Sequence, residues 1–116
     1  MWLDTMRKLK YDLCRSSWVG DYNDPNTFLD CFTSNNGQNR TGWANPRYDE
    51  YIAAAAREAD IEKRHAIFRD AESLLIGQDS VIIPVYHYVG VQFRREKLGG
   101  VQPNLIDDHP FRAMFW

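Results

Sequence analysis

The fold of this chain is decided by residues 45–77, NPRYDEYIAAAAREADIEKRHAIFRDAESLLIG. Asn45 followed by Pro46 is a helix start, because the Asn side chain caps free backbone N–H groups and Pro fits the first helical turn. Asp60 repeats the capping pattern, and Gly77 is typical of a helix end. The stretch therefore predicts a helical hairpin, with one helix running to about residue 59 and the next from residue 61 to Gly77.

Apolar residues recur along both predicted helices at steps of three and four. This spacing places them on one face of each helix, and we expect the two faces to pack together as the core. The inward residues are Tyr48, Ile52, Ala55, Ala56 and Ala59 in the first helix, and Ile61, Phe68, Leu74 and Leu75 in the second.

Shorter elements are predicted on both sides of the hairpin. Residues 2–9 have the apolar spacing of a short helix, and Asp24 before Pro25 starts another that runs to about residue 32. Residues 33–42, rich in Asn, Gly, Ser and Thr, form a surface loop. Residues 11–19 are predicted to form a strand with alternate residues on one side. Residues 80–89 favour a strand because they are rich in β-branched and aromatic residues, and residues 91–94 are predicted to continue as a second extended piece. The order of elements predicts an α/β or α+β fold.

Composition limits the classes of protein and partner. The chain has 116 residues, of which 44% are apolar, so it can bury a core as one globular unit. Its formal net charge of -2 gives no attraction for phosphates, and we expect no nucleic acid partner. The opening residues lack the pattern of a secretion signal, so we expect no signal peptide in this chain.

Cysteine and histidine placement predicts neither a metal, a cofactor nor an active site. Cys14 and Cys31 lack metal-ligand spacing, and they form either one disulfide or two unpaired thiols. Glu62 and His65 match half of a di-iron motif, but the second half is missing, so His65 is interpreted as a surface residue. No G-x-S-x-G sequence surrounds a Ser, and we expect the protein not to be an enzyme.

Four motifs lie in order along the chain. The first runs from Arg15 to Leu29 and contains W-x-x-D-Y-x-D-P at residues 18–25; the others are N-P-x-Y-D at 45–49, Lys63-Arg64 with Ala71-Glu72, and V-I-I-P-V-Y at 81–86. Together they resemble the family-5 extracellular solute-binding proteins, and within that family the oligopeptide-binding proteins of ABC transporters.

The resemblance implies a fold, a function and partners. Residues 1–116 would be a single partial lobe, the C-terminal portion of one lobe of a periplasmic-binding-protein type II clamshell, with the N-terminal lobe missing. The implied function is peptide binding for ABC-transporter-mediated oligopeptide uptake, with the importer's membrane subunits as partners. The parent family is periplasmic, or extracellular and lipid-anchored.

The resemblance also implies ligand-binding residues. Asp21 matches the aspartate that binds the peptide's α-ammonium through charge-assisted hydrogen bonds. Arg15 matches an arginine that approaches the carboxylate of a short peptide, and Trp18 lines the cleft. Ser17 and Val19 lie on the extended segment whose backbone pairs with the peptide. His87 stands where the family tends to have a ligand-contacting tyrosine, so the pocket preference there differs.

Each of these residues has a simpler interpretation. Asp21 is equally suited to a turn, Trp18 to a core and Arg15 to a surface ion pair. A different class of function is a stand-alone interaction module that forms a homodimer through the exposed cleft face, because apolar residues without their cover tend to find a partner. A third alternative is a non-functional remnant.

Overall fold

The computed structural model describes residues 2–89, 91–104 and 107–116. They divide into two compact units, Met1–Ile83 and Pro84–Trp116, which are described separately. The prediction of a single partial lobe over residues 1–116 therefore stays a prediction. The helices of the first unit are α1 (Trp2–Arg7), α2 (Asn26–Leu29), α3 (Pro46–Arg57) and α4 (Ile61–Glu72), with a 3-10 turn at Asp30–Phe32 and a π-helical turn at Ser73–Gln78.

The helical hairpin of α3 and α4 is confirmed, together with both of its caps. The Asn45 side chain accepts a hydrogen bond from the N–H of Arg47 at 3.1 Å, and the Asp60 side chain accepts one from the N–H of Lys63 at 3.0 Å. The π-helical turn extends α4 as far as Gln78, so the predicted end at Gly77 lies one residue inside it. Local capping chemistry therefore sets where both helices begin.

The core of the first unit lies between α3, α4 and the π-helical turn. Tyr48 is fully buried, and its hydroxyl donates a hydrogen bond to the carbonyl oxygen of Leu29 at 2.7 Å, which ties α2 to the hairpin. Burial raises the pKa of the Tyr48 hydroxyl. The buried residues of this cluster are Tyr48, Ile52, Ala55, Phe68, Ala71, Leu74 and Leu75.

Three residues predicted to face inward are exposed instead. Ala56 lies beside Ala55 on the helix, about 100° further round and outside the packed stripe. Ala59 follows the end of α3 at Arg57 and therefore has no helical face to share. Ile61 is the first residue of α4 and is 68% exposed, because it precedes the part of that helix that packs in the core.

The predicted strands at residues 11–19, 80–89 and 91–94 are wrong as assignments of regular structure. Among the described residues, these segments have no ladder of backbone hydrogen bonds, and the β-type pairing found is an isolated antiparallel bridge between Gly99 and Phe115. A high β-propensity produces a strand only when a neighbouring segment supplies the hydrogen-bonding partner. These segments lack that neighbour in the described chain.

The second unit, Pro84–Trp116, is held by a few specific contacts. The bridge joins the N–H of Gly99 to the carbonyl oxygen of Phe115 at 2.8 Å, and Arg94 donates to the carbonyl oxygen of Val101 at 2.8 Å. Gly100 has a φ of +81°, and a Cβ there would lie 1.8 Å from the carbonyl oxygen of Ala113. Glycine is therefore required at position 100, for conformation and for space.

The structure also describes the state of the two cysteines and the length and polarity of the helices. Cys14 and Cys31 are unpaired, and burial raises the pKa of the Cys31 thiol to about 11, so this thiol is neutral at pH 7. Within the described ranges, no helix has both the length and the apolar character needed to cross a membrane.

Truncating the core at Leu75 should destabilise the first unit. Leu75 is 1% exposed, so we expect Leu75→Ala to lower the free energy of unfolding by about 2–5 kcal/mol, through lost burial and the cavity left behind. Urea denaturation followed by circular dichroism measures the change. The control is Ile61→Ala, a matched truncation at an exposed site of the same hairpin, with an expected change below about 0.5 kcal/mol. Equal losses in the two variants would contradict the described core.

Candidate ligand-binding segment

Five of the six predicted site residues lie on one stretch of chain. We call residues 15–21 the binding segment; it belongs to no helix or strand, lies between α1 and α2, and contains Arg15, Ser17, Trp18, Val19 and Asp21. All five residues are exposed, and Val19 is 83% exposed. The interpretation of Trp18 as a core residue is therefore wrong. An exposed, extended backbone leaves N–H and C=O groups available to another extended chain.

A shallow cavity opens at the start of the binding segment. It has a volume of about 250 Å³ and is lined by Trp2 of α1 together with Arg15, Ser16 and Ser17. The indole and the guanidinium give this cavity one apolar and one cationic wall. Such a lining suits a ligand that carries both an apolar group and a negative charge.

The other end of the binding segment is held against α2. The buried Thr27 side chain accepts a hydrogen bond from the N–H of Asp21 at 2.9 Å. Gly20 makes the close approach possible, because a Cβ at that position would lie 3.0 Å from Cζ of Phe28 and 3.1 Å from Cγ2 of Thr27. The segment therefore has a fixed backbone position where it reaches Asp21.

Two carboxylates of the D-Y-N-D-P motif have different surroundings. Asp21 is exposed, and its carboxylate has no hydrogen bond or ion pair within the described residues. Oδ1 of Asp24 instead accepts hydrogen bonds from the N–H of Asn26 and from Nη2 of Arg64, both at 2.9 Å, and Oδ2 of Asp24 pairs with Nη1 of Arg64. Asp24 thus supports the fold, while the carboxylate of Asp21 faces solvent.

Arg64 joins three elements of the first unit. Besides its bidentate pair with Asp24, its Nε donates to the carbonyl oxygen of Ala55 in α3 at 3.0 Å, and its guanidinium carbon lies 4.7 Å from the centre of the Phe68 ring. The side chains of Arg64 and Asp24 are 25% and 27% exposed, so the pair is partly shielded from water. The hydrogen bond from Arg64 is the main cause that holds the pKa of Asp24 below its usual value of 3.8.

His87, the sixth predicted site residue, lies in the second unit. It is exposed, and its neighbours Tyr86 and Tyr88 form an edge-to-face ring pair with centroids 4.8 Å apart. Its assignment to the same ligand site as Asp21 stays a prediction.

The sequence analysis gave no role to two residues that hold the binding segment in place. Thr27 bonds to it directly, and Arg64 acts through Asp24. Arg64 belongs to one of the four motifs, but no role was attached to it, and Thr27 was one polar residue of a predicted short helix. A signal for Thr27 was present: it follows Asp24-Pro25 in the first turn of the helix, close in sequence to the segment that it holds. The contact of Arg64 with Asp24 joins residues 40 positions apart, which no local pattern indicates.

The partly shielded pair of Asp24 and Arg64 should make the stability of the first unit depend on acid. Because the folded pKa of Asp24 is lowered, its contribution is complete above the unfolded value near 3.8 and is lost as pH falls through the lower folded value. We expect Asp24→Asn and Arg64→Met each to lower the free energy of unfolding by about 1–3 kcal/mol at pH 7. The difference from the unsubstituted chain should shrink below pH 3.8.

Urea denaturation at a series of pH values measures this dependence, and the double variant gives the coupling between the two residues. Lys8→Met is the control, because it removes an exposed pair with Asp4 at 3.0 Å that contributes only about 0.3–0.5 kcal/mol. Additive effects of Asp24→Asn and Arg64→Met would contradict the described pair.

The chain was compared with protein families and with known proteins. No family model matches it. It is 42% identical over 101 residues to the dipeptide-binding protein DppE of Bacillus subtilis, covering 87% of this chain and 18% of the relative. It is 36% identical over 115 residues to the periplasmic murein peptide-binding protein MppA of Escherichia coli, covering 98% and 21%. It is 35% identical over 98 residues to the periplasmic oligopeptide-binding protein OppA of Escherichia coli, covering 84% and 18%.

A solved structure shares the fold. The unliganded open form of the periplasmic murein tripeptide binding protein MppA superimposes with a TM-score of 0.80 at 35% identity, covering 98% of this chain and 22% of that chain. The predicted fold class is thereby confirmed: the described architecture is a portion of a larger periplasmic-binding-protein clamshell. The chain spans about a fifth of the length of the curated relatives that it matches.

Proposed function

We propose that this chain, most of which is similar to peptide-binding proteins, is part of a family-5 solute-binding protein and supplies one wall of the peptide-binding cleft of a receptor for ABC-transporter-mediated oligopeptide uptake. The observation that carries this proposal is the exposed carboxylate of Asp21, without a hydrogen bond or ion pair in the described chain, at the end of an exposed segment that belongs to no helix or strand. The relatives are named for binding dipeptides, murein peptides and oligopeptides, and each of these ligands offers a main chain to such a segment.

The binding segment offers one group for each part of a short peptide. The Asp21 carboxylate binds the α-ammonium, and the backbone of Ser17 to Val19 pairs with the main chain of the peptide. Trp18 supplies an apolar wall. Arg15, which lines the cavity at the opposite end of the segment, approaches the peptide carboxylate. Because Asp21 and Arg15 lie at opposite ends of the binding segment, they suit the two charged ends of a ligand that runs along it.

His87 adds a further contact in this proposal. Its ring presents either a donor or an acceptor at each nitrogen, so it binds polar side chains or main-chain groups of the peptide. No bond of the ligand is made or broken, which agrees with relatives that are all named as binding proteins. The receptor acts by hinge closure, in which the peptide bridges the lobes and the closed form is presented to the membrane subunits of the importer.

The rest of the receptor is the first partner in this proposal. Residues 1–116 form a single partial lobe, from the C-terminal portion of the receptor, and the N-terminal lobe lies in the remaining polypeptide. The exposed apolar side chains of the second unit support this, since Val85, Val89 and Phe93 are each more than three-quarters exposed and Phe93 is 97% exposed. The receptor works in the periplasm, or outside the cell on a lipid anchor, and this chain alone binds peptide poorly or not at all.

Removing the Asp21 charge should weaken binding of peptides that have a free amino end. The assay is a chimera in which this whole chain replaces the matched stretch of Escherichia coli OppA, studied by calorimetric titration with trialanine. Asp21→Asn should weaken trialanine binding roughly 10- to 100-fold, because a charge-assisted hydrogen bond is replaced by a neutral one.

N-acetyl-trialanine serves as the control ligand, because it has no ammonium group and its affinity should be the same in both chimeras. Asp12→Asn is the matched control variant, with the same charge change at an exposed position outside the binding segment. Equal trialanine affinity in the Asp21→Asn chimera and its parent would overturn the role of Asp21.

The exposed apolar surface also favours a second candidate function, a stand-alone module that forms a homodimer. Trp18 and Tyr86 belong to the cleft face in the proposed receptor, and both are exposed in this chain. Under this candidate, Trp18 and Tyr86 lie in an interface between two copies, which covers their apolar area.

Self-association is tested by sedimentation velocity of the isolated chain through the micromolar range. The second candidate predicts that the mass rises from that of a monomer to that of a dimer as the concentration increases. In Trp18→Ala and Tyr86→Ala this monomer–dimer transition should move to higher concentration. Lys10→Ala, an exposed polar residue, is the control and should leave the transition unchanged. A single monomer mass over the whole range contradicts the second candidate and leaves the receptor proposal intact.

A further inference from the structure

Thr27 combines burial with a hydrogen bond to the binding segment. The residue is 2% exposed, and its Oγ1 accepts the hydrogen bond from the N–H of Asp21 at 2.9 Å. A buried hydroxyl is stable only when it is hydrogen-bonded, so the contact restrains both partners. Thr27 therefore determines where the backbone of Asp21 lies.

The position of Thr27 is itself set by the rest of the first unit. Its N–H donates to the carbonyl oxygen of Asp24 at 3.1 Å, and its carbonyl oxygen accepts from Sγ of Cys31 at 3.5 Å. Asp24 is paired with Arg64 of α4, and the carbonyl oxygen of Leu29 accepts from the hydroxyl of Tyr48 in α3. The hydroxyl of Thr27 is thus presented from a short helix that is tied to both helices of the hairpin.

Asp21 has little else to hold it. Its side chain is exposed and has no hydrogen bond or ion pair in the part of the chain that the structure describes, and the preceding Gly20 contributes only an apolar approach of its backbone to Phe28 and Thr27. The backbone bond to Thr27 is therefore the specific polar restraint on the residue that carries the ligand charge. A carboxylate binds an ammonium well only when its position is set before the ligand arrives.

We propose that Thr27 is a positioning residue of the peptide site: through its bond to the N–H of Asp21, it places the Asp21 carboxylate for the α-ammonium of a peptide. This inference rests on the proposed function and adds to it the residue that sets the geometry of the amine anchor. Thr27 does not contact the ligand. Its contribution is specific for ligands with a free amino end, because ligands without an ammonium make no use of the Asp21 charge.

The test uses two variants that differ in one property. Thr27→Val has nearly the shape of Thr but no acceptor, whereas Thr27→Ser keeps the hydroxyl and loses a methyl group. The first readout is amide hydrogen exchange of the complete 116-residue chain, followed by NMR at Asp21. We expect exchange of this amide to be about three- to tenfold faster in Thr27→Val and close to the parent rate in Thr27→Ser, with core amides of α3 unchanged.

The second readout is ligand discrimination in the OppA chimera. The ratio of the dissociation constants for N-acetyl-trialanine and trialanine measures what the α-ammonium contributes. In Thr27→Val this ratio should fall about three- to tenfold, in the same direction as in Asp21→Asn, and Thr27→Ser should restore it. A loss of general stability would weaken both ligands equally and leave the ratio unchanged.

The outcomes separate this inference from the proposed function. If Asp21→Asn lowers the ratio and Thr27→Val leaves either the ratio or the exchange rate at the parent value, the positioning role of Thr27 is overturned while the receptor proposal stands. If the parent chimera does not discriminate between the two peptides, the amine anchor itself is wrong, and the role of Thr27 in it is overturned as well. Faster exchange together with a lower ratio, both restored by Ser, supports the inference.

Discussion

The bidentate pair of Arg64 with Asp24 is the interaction on which the first unit depends. Arg64 projects from α4, pairs with Asp24 two residues before α2, bonds to the carbonyl oxygen of Ala55 in α3 and stacks near Phe68. One planar cation with several donors can serve all of these partners, which a lysine cannot do. Thr27 of α2 accepts a hydrogen bond from the N–H of Asp21, and Asp24 beside α2 is paired with Arg64 of α4. The hairpin of α3 and α4 therefore helps to fix the position of the binding segment, although the segment is not part of the hairpin.

The parts of the fold that were predictable are those with local causes. Asn45 and Asp60 cap the nearest N–H groups of their own helices, and Tyr48 and Phe68 lie on apolar stripes, so a single sequence shows them directly. Ile61 follows the same spacing but lies before the packed part of α4. The segments at residues 11–19 and 80–89 have the composition of strands, yet a strand requires a neighbour, and its presence depends on residues far away in sequence.

The site was predictable only in part, for the same reason. Asp21 and Trp18 were proposed as site residues because they belong to a motif whose residues are close in sequence, and this stays a prediction. The same motif contains Asp24, which was predicted to cap α2, but the N-cap is Pro25 and no side chain caps this helix. Asp24 instead accepts from the N–H of Asn26 in the turn that leads into α2, and its ion pair with Arg64 crosses 40 positions. The burial of Thr27 depends on how α2 packs against the hairpin, and the burial preference of a residue type does not predict that packing.

The unequal surroundings of the two carboxylates in D-Y-N-D-P have an evolutionary consequence. Under the proposed function, the structural and the ligand-binding roles fall on separate residues three positions apart, so selection can act on them independently. A substitution at position 21 changes the charge offered to a solute without disturbing the pair that anchors α2, whereas position 24 is constrained by Arg64. The scaffold can therefore diversify toward solutes that lack an amine by single steps that leave its folding intact.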